Sequence, residues 1–293
     1  MGLFLKPKRG AITMFFCKKH NRFATRVLLI SSASLLSLGS YQPAMAVQSV
    51  IKSTNPSIKK PLARVTSAPV KLLDTNELNR ITHLSVGKKD HFFPAGKVLN
   101  DYLKIELIDK AFFEKKRPLA VDYLSHKNAI KKQDGVISIQ LVKDSLKLVD
   151  IDSDDDGETY RYIGQIDALD QHLVEVLRWE SQNYQMFDQV EGFLTQEFSA
   201  YPYLSPNKRY IISAYANPYE GHTDLGLYKV KGREIIPVMS AGFKNWMPIT
   251  DPADIFWARD GYLYVAVTHS ASAMQIGGRV NAQTQYIRIK VDL

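Results

Sequence analysis

The residues best suited to chemistry are histidines that lie close to carboxylates. Glu220-Gly-His222-Thr-Asp224 places an acidic side chain on either side of one imidazole, directly after Tyr219. A general base requires a partner of this kind. The segment therefore makes Tyr219, Glu220 and His222 candidate site residues. The alternative is an ordinary polar loop between two strands.

A second histidine, His269, precedes Ser270 and Ser272 and suggests a serine hydrolase. An acylating serine needs a base and an oxyanion hole assembled in space, which neighbours in sequence do not guarantee. The Gly-x-Ser-x-Gly elbow, the HExxH pair and phosphate-binding glycine loops are all absent from the sequence. An exported hydrolase that uses His222 or His269 with nearby carboxylates is thus an alternative function.

Acidic residues at alternate positions form a candidate calcium loop. Asp152, Asp154 and Asp156 precede Gly157, and a hard cation prefers several oxygen ligands arranged around such a turn. The twelfth position is Ile163, where an EF-hand has a bidentate glutamate. Calcium is the only cofactor that the sequence suggests, and the alternative is a solvated hairpin tip.

Aromatic residues near prolines form another candidate surface. Trp and Tyr concentrate at protein interfaces because a rigid ring buries a large area at a small entropic cost. Trp246 and Trp257 lie in a long connection, residues 243–257, and are predicted to be binding residues; Tyr201 and Tyr203 belong to the same group. The alternative is that both indoles pack in the core under this connection.

The first 46 residues have the order of a secretory signal peptide. Basic residues precede an apolar run from Val27 to about Leu38, and Ala44-Met45-Ala46 offers a cleavage site after Ala46. The apolar run is about half the ~20 residues that a membrane-spanning helix needs. We therefore expect a periplasmic or secreted protein with no membrane span after processing.

Removing the leader changes the charge and the cysteine content. The leader holds seven Lys and Arg and no acidic residue, so the net charge of +8 falls to +1 in residues 47–293. A nucleic-acid partner therefore loses its electrostatic support. Cys17, the only cysteine, lies in the leader, which excludes disulfides and a thiol nucleophile from the processed chain.

After the leader the sequence divides into three parts. Residues 47–95 begin with Ser, Thr, Pro and Lys and are predicted to be an extended linker, with one helical turn that Asp74 opens. Residues 96–133 are predicted to be a small helical segment with a helix over Asn100–Lys116; the alternation at Leu103–Leu107 leaves a strand there as the alternative. Residues 134–293 alternate in short strand-like runs and predict a β-rich domain.

The β-rich part contains a loose repeat. Each unit places a tight polar turn before two alternating strands. The turns begin near Ala168, Ser205 and Ala258, roughly 37 and 53 residues apart, near the ~40–50 residues typical of propeller blades. Leu204-Ser-Pro-Asn-Lys-Arg-Tyr and Trp257-Ala-Arg-Asp-Gly-Tyr-Leu-Tyr resemble the Ser-Pro-Asp-Gly-Lys blades of bacterial propeller-like repeat proteins. The resemblance covers about residues 160–293 and implies antiparallel repeat sheets, either partly propeller-like or a sandwich, because three units are too few to close a propeller.

These features predict a mainly β protein with a short N-terminal helical segment and a binding function. The favoured function is an exported binding protein, such as a periplasmic inhibitor or immunity-type protein, that contacts another protein or an envelope component through the loops of its β-domain. The alternatives are the hydrolase and a calcium-binding envelope component.

Overall fold

A computed structural model describes most of the chain after the predicted linker. All described residues belong to one compact unit, Val65–Leu293. The predicted leader, 1–46, and the predicted cleavage site after Ala46 lie outside them. Among the described residues no helix is long and apolar enough to cross a bilayer. The described ranges are 70–87, 94–126, 130–153, 157–179, 181–217, 219–249, 254–273 and 283–293.

The fold is mainly β, as predicted, with antiparallel sheets and few helices. Sheet I contains β6 (Glu158–Ile166), β7 (Gln171–Arg178), β8 (Gln182–Asp188) and β9 (Leu194–Phe198) in that order. Sheet II has the order β1 (Ile81–Val86), β13 (Glu234–Phe243), β12 (His222–Lys231), β11 (Tyr210–Asn217) and β10 (Tyr203–Leu204). Sheet III has the order β2 (Leu103–Ile108), β17 (Gln285–Val291), β16 (Leu263–His269), β15 (Ile255–Ala258) and β3 (Ala120–Val121), and β14 (Trp246–Pro248) also pairs with β16.

The remaining elements are small. β4 (Val136–Gln140) and β5 (Ser145–Val149) form a separate hairpin. The described helices are α1 (Thr75–Leu78), α2 (Lys110–Lys116) and α3 (Ser270–Ala273). Single 3-10 turns occupy Leu99–Asp101, Arg117–Leu119 and Asp167–Leu169.

Each of the three sheets holds one of the predicted turn-and-strand units. The turns join β6 to β7, β10 to β11, and β15 to β16, and the second strand of each unit pairs with the first. In the sheet II turn, the Ser205 hydroxyl accepts a hydrogen bond from the Tyr210 amide at 2.9 Å. The Asn207 side chain accepts one from the Arg209 amide at 3.0 Å. Short polar side chains thus replace ladder bonds at the turn. The repeat is confirmed, while the resemblance to propeller blades stays a prediction.

Sheet II is the middle layer of a stack. Side chains alternate between the two faces of a strand, so neighbours in β11 face different sheets. Ile212 belongs to the same buried core as Val265 of sheet III, whereas Ile211 belongs to the core that contains Leu173 of sheet I. The β4–β5 hairpin covers the other face of sheet I, and α2 covers the other face of sheet III.

The segments before residue 134 contribute strands to these sheets. The predicted helix over Asn100–Lys116 is wrong in its first half: β2 occupies Leu103–Ile108 and pairs with β17, and only α2 is helical. The alternation of buried and exposed residues over Leu103–Ile108 favours a strand over a helix, and pairing with the distant β17 stabilises the strand. α2 begins after Asp109, whose carboxylate accepts a hydrogen bond from the Phe112 amide at 2.6 Å. The predicted linker 47–95 contains α1, opened by Asp74 as expected, and β1, which pairs with β13.

Candidate functional site

The main concave feature is a cleft at the meeting of the three sheets. Its first lobe, of about 520 Å³, lies between the β7–β8 end of sheet I and the strands β10, β11 and β15. Its second lobe, of about 610 Å³, lies between β6 and β8 on one side and β3 and β15 on the other. Tyr184, Tyr201, Tyr203 and Ile255 line both lobes. These volumes are in the range of small-molecule and peptide-anchor sites.

A short segment after β3 connects the two walls of the second lobe. Val121 pairs with Trp257 of sheet III, and four residues later Ser125 forms a bridge with Gln165 of sheet I. The close approach needs a glycine at position 164, because a Cβ there would lie 2.8 Å from the Ser125 carbonyl oxygen. The backbone therefore fixes the distance between sheets I and III beside the cleft.

Three tyrosines form a row in the cleft. The Tyr184 and Tyr201 ring centroids lie 5.7 Å apart and those of Tyr201 and Tyr203 lie 4.8 Å apart, both edge to face. Burial, together with the nearby Glu175, raises the pKa of Tyr184 to about 12, and burial also raises the pKa of Tyr201. Both phenols therefore stay neutral at physiological pH and can donate hydrogen bonds.

A buried carboxylate lies beside this row. Glu175 on β7 is fully buried, and it is the cross-strand partner of Arg161 on β6 and of Tyr184 on β8. Arg161 Nε and the Gln182 amide both donate to it, and the Tyr184 hydroxyl donates at 3.0 Å. Three donors compensate the desolvation of this charge. The strand register therefore places a fixed guanidinium in the wall of the second lobe.

Two further arginines line the cleft, and both have acidic partners. In the second lobe, Arg117 Nη2 lies 3.3 Å from the Asp254 carboxylate. In the first lobe, Arg178 Nε donates to Glu158 at 2.7 Å. Asp122 is the acidic residue among those that line the second lobe.

Trp179 lies at the edge of the first lobe. It occupies the β7–β8 turn between Arg178 and Ser181, which both line this lobe. Its side chain is 86% exposed, the highest value among the large hydrophobic residues that the structure describes. An indole held at the mouth of an aromatic cleft is typical of a binding surface.

The prediction that Trp246 and Trp257 present a binding surface is wrong. Both belong to the core between sheets II and III and are almost completely buried. The Trp246 indole donates to the Leu78 carbonyl at 3.1 Å, and the Trp257 indole donates to the Tyr203 carbonyl at 2.9 Å. A buried indole needs such an acceptor, and both have one. Their role is structural, although Trp257 supports the cleft from behind through Tyr203.

The predicted histidine group is assembled, although its residues do not line the cleft. His222 Nε2 lies 2.9 Å from Asp224 and Nδ1 lies 3.3 Å from Glu220. Asn217 holds the turn by accepting hydrogen bonds from the Tyr219 and Glu220 amides, each at 3.1 Å. Both ring nitrogens thus face carboxylates, and none of these residues lines either lobe.

His269 lies in a different environment. It is buried, and its Nδ1 accepts a hydrogen bond from the Ala271 amide at 3.0 Å. Its Nε2 lies 3.7 Å from the Glu77 carboxylate, which is beyond hydrogen-bonding distance. This nitrogen has no hydrogen-bond partner among the described residues. The Ser270 hydroxyl likewise lacks a partner within the described ranges, so His269 does not activate it. Burial lowers the pKa of His269.

The candidate calcium loop is only partly described. Asp152 is exposed, and Asp154 and Asp156 lie outside the described residues. In the part of the chain that the structure covers, no three His, Cys, Asp or Glu side chains converge as metal ligands. The calcium prediction stays a prediction.

Sequence reasoning missed the residues that build the cleft wall. Arg161, Glu175 and Tyr184 are far apart in sequence, and only the register of three strands aligns them. One available signal was a charged residue, Glu175, between Val174 and Val176 in the apolar middle of β7. Trp179 offered another, because a tryptophan in a polar turn has no sheet face to pack against.

No family model, no curated protein and no solved structure matches this chain. The function is therefore argued from the cleft itself.

Proposed function

We propose that this protein is an exported binding protein that holds part of another protein or envelope component in the three-sheet cleft. The observation that carries the proposal is the row of Tyr184, Tyr201 and Tyr203 at the floor of a concave site, with Trp179 exposed at its edge. Rigid aromatic anchors in a desolvated depression supply most of the binding energy at protein interfaces. A periplasmic inhibitor or immunity-type protein works by occupying a partner in this way.

The hydrolase has less support. Its candidate imidazoles, His222 and His269, do not line the cleft. Both nitrogens of His222 already face carboxylates, and His269 is buried beside a serine that it does not contact through a hydrogen bond. Burial raises the pKa values of Tyr184 and Tyr201, which opposes a role of these two residues as nucleophiles.

The test uses two equally accessible apolar residues. Trp179 is 86% exposed at the cleft edge; Val142 is 76% exposed in the β4–β5 hairpin and lines neither lobe. Wild type, Trp179→Ala and Val142→Ala are expressed from the full gene in the native cell with a C-terminal tag. Bound partners are then fixed by cross-linking and quantified by mass spectrometry.

We expect the wild type and Val142→Ala to recover the same amount of the same partner. Trp179→Ala should recover at least about tenfold less of it, since a tryptophan hot spot contributes about 2 kcal/mol or more. Both substitutions are on the surface and should change the free energy of unfolding by less than about 0.5 kcal/mol. Equal recovery of the partner by all three proteins would refute the cleft as the binding site.

A further inference from the structure

We infer that the second lobe of the cleft binds a monocarboxylate carried on an aromatic or branched aliphatic group. This inference rests on the proposed function, because it names the chemistry of the group that the partner inserts into the cleft. The chemistry follows from Arg161, from the other charges of the lobe and from its apolar wall.

Arg161 is positioned by its counterion and still has donors to offer. Its Nε donates to Glu175, which is fully buried and anchored by two further donors. The Nη1 and Nη2 groups have no acceptor among the described residues, and the side chain is 64% exposed where it lines the second lobe. A guanidinium held at one end presents its remaining N–H groups as a planar fork, which matches the two oxygens of a carboxylate.

The charges around Arg161 favour a single negative charge. Arg117 and Arg161 line the second lobe together with Asp122, and each guanidinium also has a carboxylate partner outside the lining, Asp254 or Glu175. The lobe therefore carries little net charge, and its attraction for an anion comes from the N–H groups of Arg161 that have no acceptor within the described ranges. Glu175 lies directly behind the guanidinium. A dianion such as a phosphate monoester would meet repulsion from both Asp122 and Glu175, whereas a carboxylate brings only half that charge. The lobe therefore fits a carboxylate better than a phosphate.

The rest of the lobe fits an apolar group. Beside the rings of Tyr201 and Tyr203, it is lined by Ile163, Ile255 and Phe256. A volume of about 610 Å³ accommodates a phenylalanine-sized side chain with its backbone. The wall of isoleucine and aromatic side chains would bury such a group next to the fork of Arg161.

The test compares two probes that differ only in charge. N-acetyl-L-phenylalanine carries the carboxylate, and its primary amide has the same body without the charge. Binding to the processed full chain is measured from backbone amide chemical shifts, which detect millimolar affinities. We expect the acid to bind at least tenfold more tightly than the amide, with shifts concentrated in β6, β8 and residues 201–203.

Three variants assign the effect to Arg161. In Arg161→Gln the preference for the acid should disappear, and in Arg161→Lys it should fall to an intermediate value because an ammonium keeps the charge without the fork. Arg209→Gln is the matched control: Arg209 is exposed and lines neither lobe, so the preference should persist. If Arg161→Gln fails to fold, the wild-type ratio and Arg161→Lys decide.

Several results would overturn the inference. These are equal binding of acid and amide, an acid preference that survives in Arg161→Gln, tighter binding of phenyl phosphate than of the acid, and no binding of any probe. The proposed function is judged separately by partner capture. If capture of the partner depends on Trp179 but the acid binds no better than the amide, the cleft binds a partner through some other group and the carboxylate inference fails. If the acid binds better but capture does not depend on Trp179, the partner-binding role is refuted.

Discussion

The cleft and the region around His269 both concentrate polar and aromatic side chains, and they use them in opposite ways. In the cleft, the buried Glu175 is paired with three donors, and the tyrosine rings line an open volume. Around His269, polar atoms are buried without hydrogen-bond partners within the described ranges, and the aromatic ring of Trp246 is fully enclosed. Trp246 is the cross-strand partner of His269, so the two belong to one packed region.

The difference shows what the two regions are suited to. An exposed aromatic surface costs stability unless a ligand covers it, and it gains free energy when one does. Buried polar atoms without a hydrogen-bond partner lower the stability of the folded state, and His269 and Ser270 line neither lobe of the cleft. The cleft is therefore the place to look for a partner, and the His269 region is the place to look for stability and its dependence on pH.

The largest expected effect is the loss of stability in Trp246→Ala. This substitution removes a fully buried ring whose centroid lies 4.9 Å from that of Phe243, together with the hydrogen bond to Leu78. We expect the free energy of unfolding to fall by about 3–5 kcal/mol. Urea titration followed by circular dichroism measures the change.

Trp179→Ala provides the contrast, since the same truncation at the cleft edge should cost less than about 0.5 kcal/mol. Similar losses in the two variants would abolish the distinction between the regions. If Trp246→Ala does not fold, Trp246→Phe tests the same point with a smaller cavity.

The next effect is expected in the cleft. Tyr184→Phe removes one of the three donors to the buried Glu175 and leaves Arg161 and Gln182 in place. We expect a loss of about 1.5 kcal/mol in the free energy of unfolding, the lower end of the range for a hydrogen bond to a charged group, because Glu175 keeps its other two donors. The measurement is again urea unfolding at neutral pH.

Tyr215→Phe is the control for Tyr184→Phe, because Tyr215 lines the same lobe and is remote from Glu175 in the strand register. A loss in Tyr184→Phe no greater than in this control would show that the hydroxyl does not support the carboxylate.

The strands were predictable because alternation is a local property. Val136–Gln140 and Ser145–Val149 carry their pattern within a few residues, and the polar turns beside them mark their ends. The helix over Asn100–Lys116 failed at β2 because the alternation and the helical spacing both fit Leu103–Leu107, and only pairing with β17, almost 200 residues away, decides between them.

The candidate site was harder to predict than the fold. Glu220, His222 and Asp224 were grouped correctly because they lie in one short segment: His222 and Asp224 share one face of β12, and Glu220 lies in the turn before it. Arg161, Glu175 and Tyr184 come from three strands, so their contact depends on register, which no single segment encodes. Trp246 and Trp257 look identical in sequence to binding residues, and only the stacking of sheets II and III buries them.

The smallest expected effect is a change in the pH dependence of stability around His269. Lys71 and Glu77 face this imidazole, and burial lowers its pKa below the ordinary value of 6.5. The unfolded chain therefore binds a proton at higher pH than the folded chain does, so stability is complete above about pH 6.5 and falls as the pH decreases through the depressed folded pKa. Burial also lowers the pKa of His172, so this residue adds to the same dependence of stability on pH.

The variant His269→Asn should remove part of this slope. Asparagine keeps an acceptor near the Nδ1 position for the Ala271 amide and does not titrate. We expect the free energy of unfolding, measured by urea titration at pH 7.5 and 5.0, to decline less in His269→Asn than in the wild type. It should decline least when His172→Asn is added. The carboxylate of Glu77 does not confuse the comparison, because its pKa lies below 4.5 and its contribution is lost only at lower pH. A decline of the same size in all three proteins would mean that groups other than His269 and His172 set the acid sensitivity.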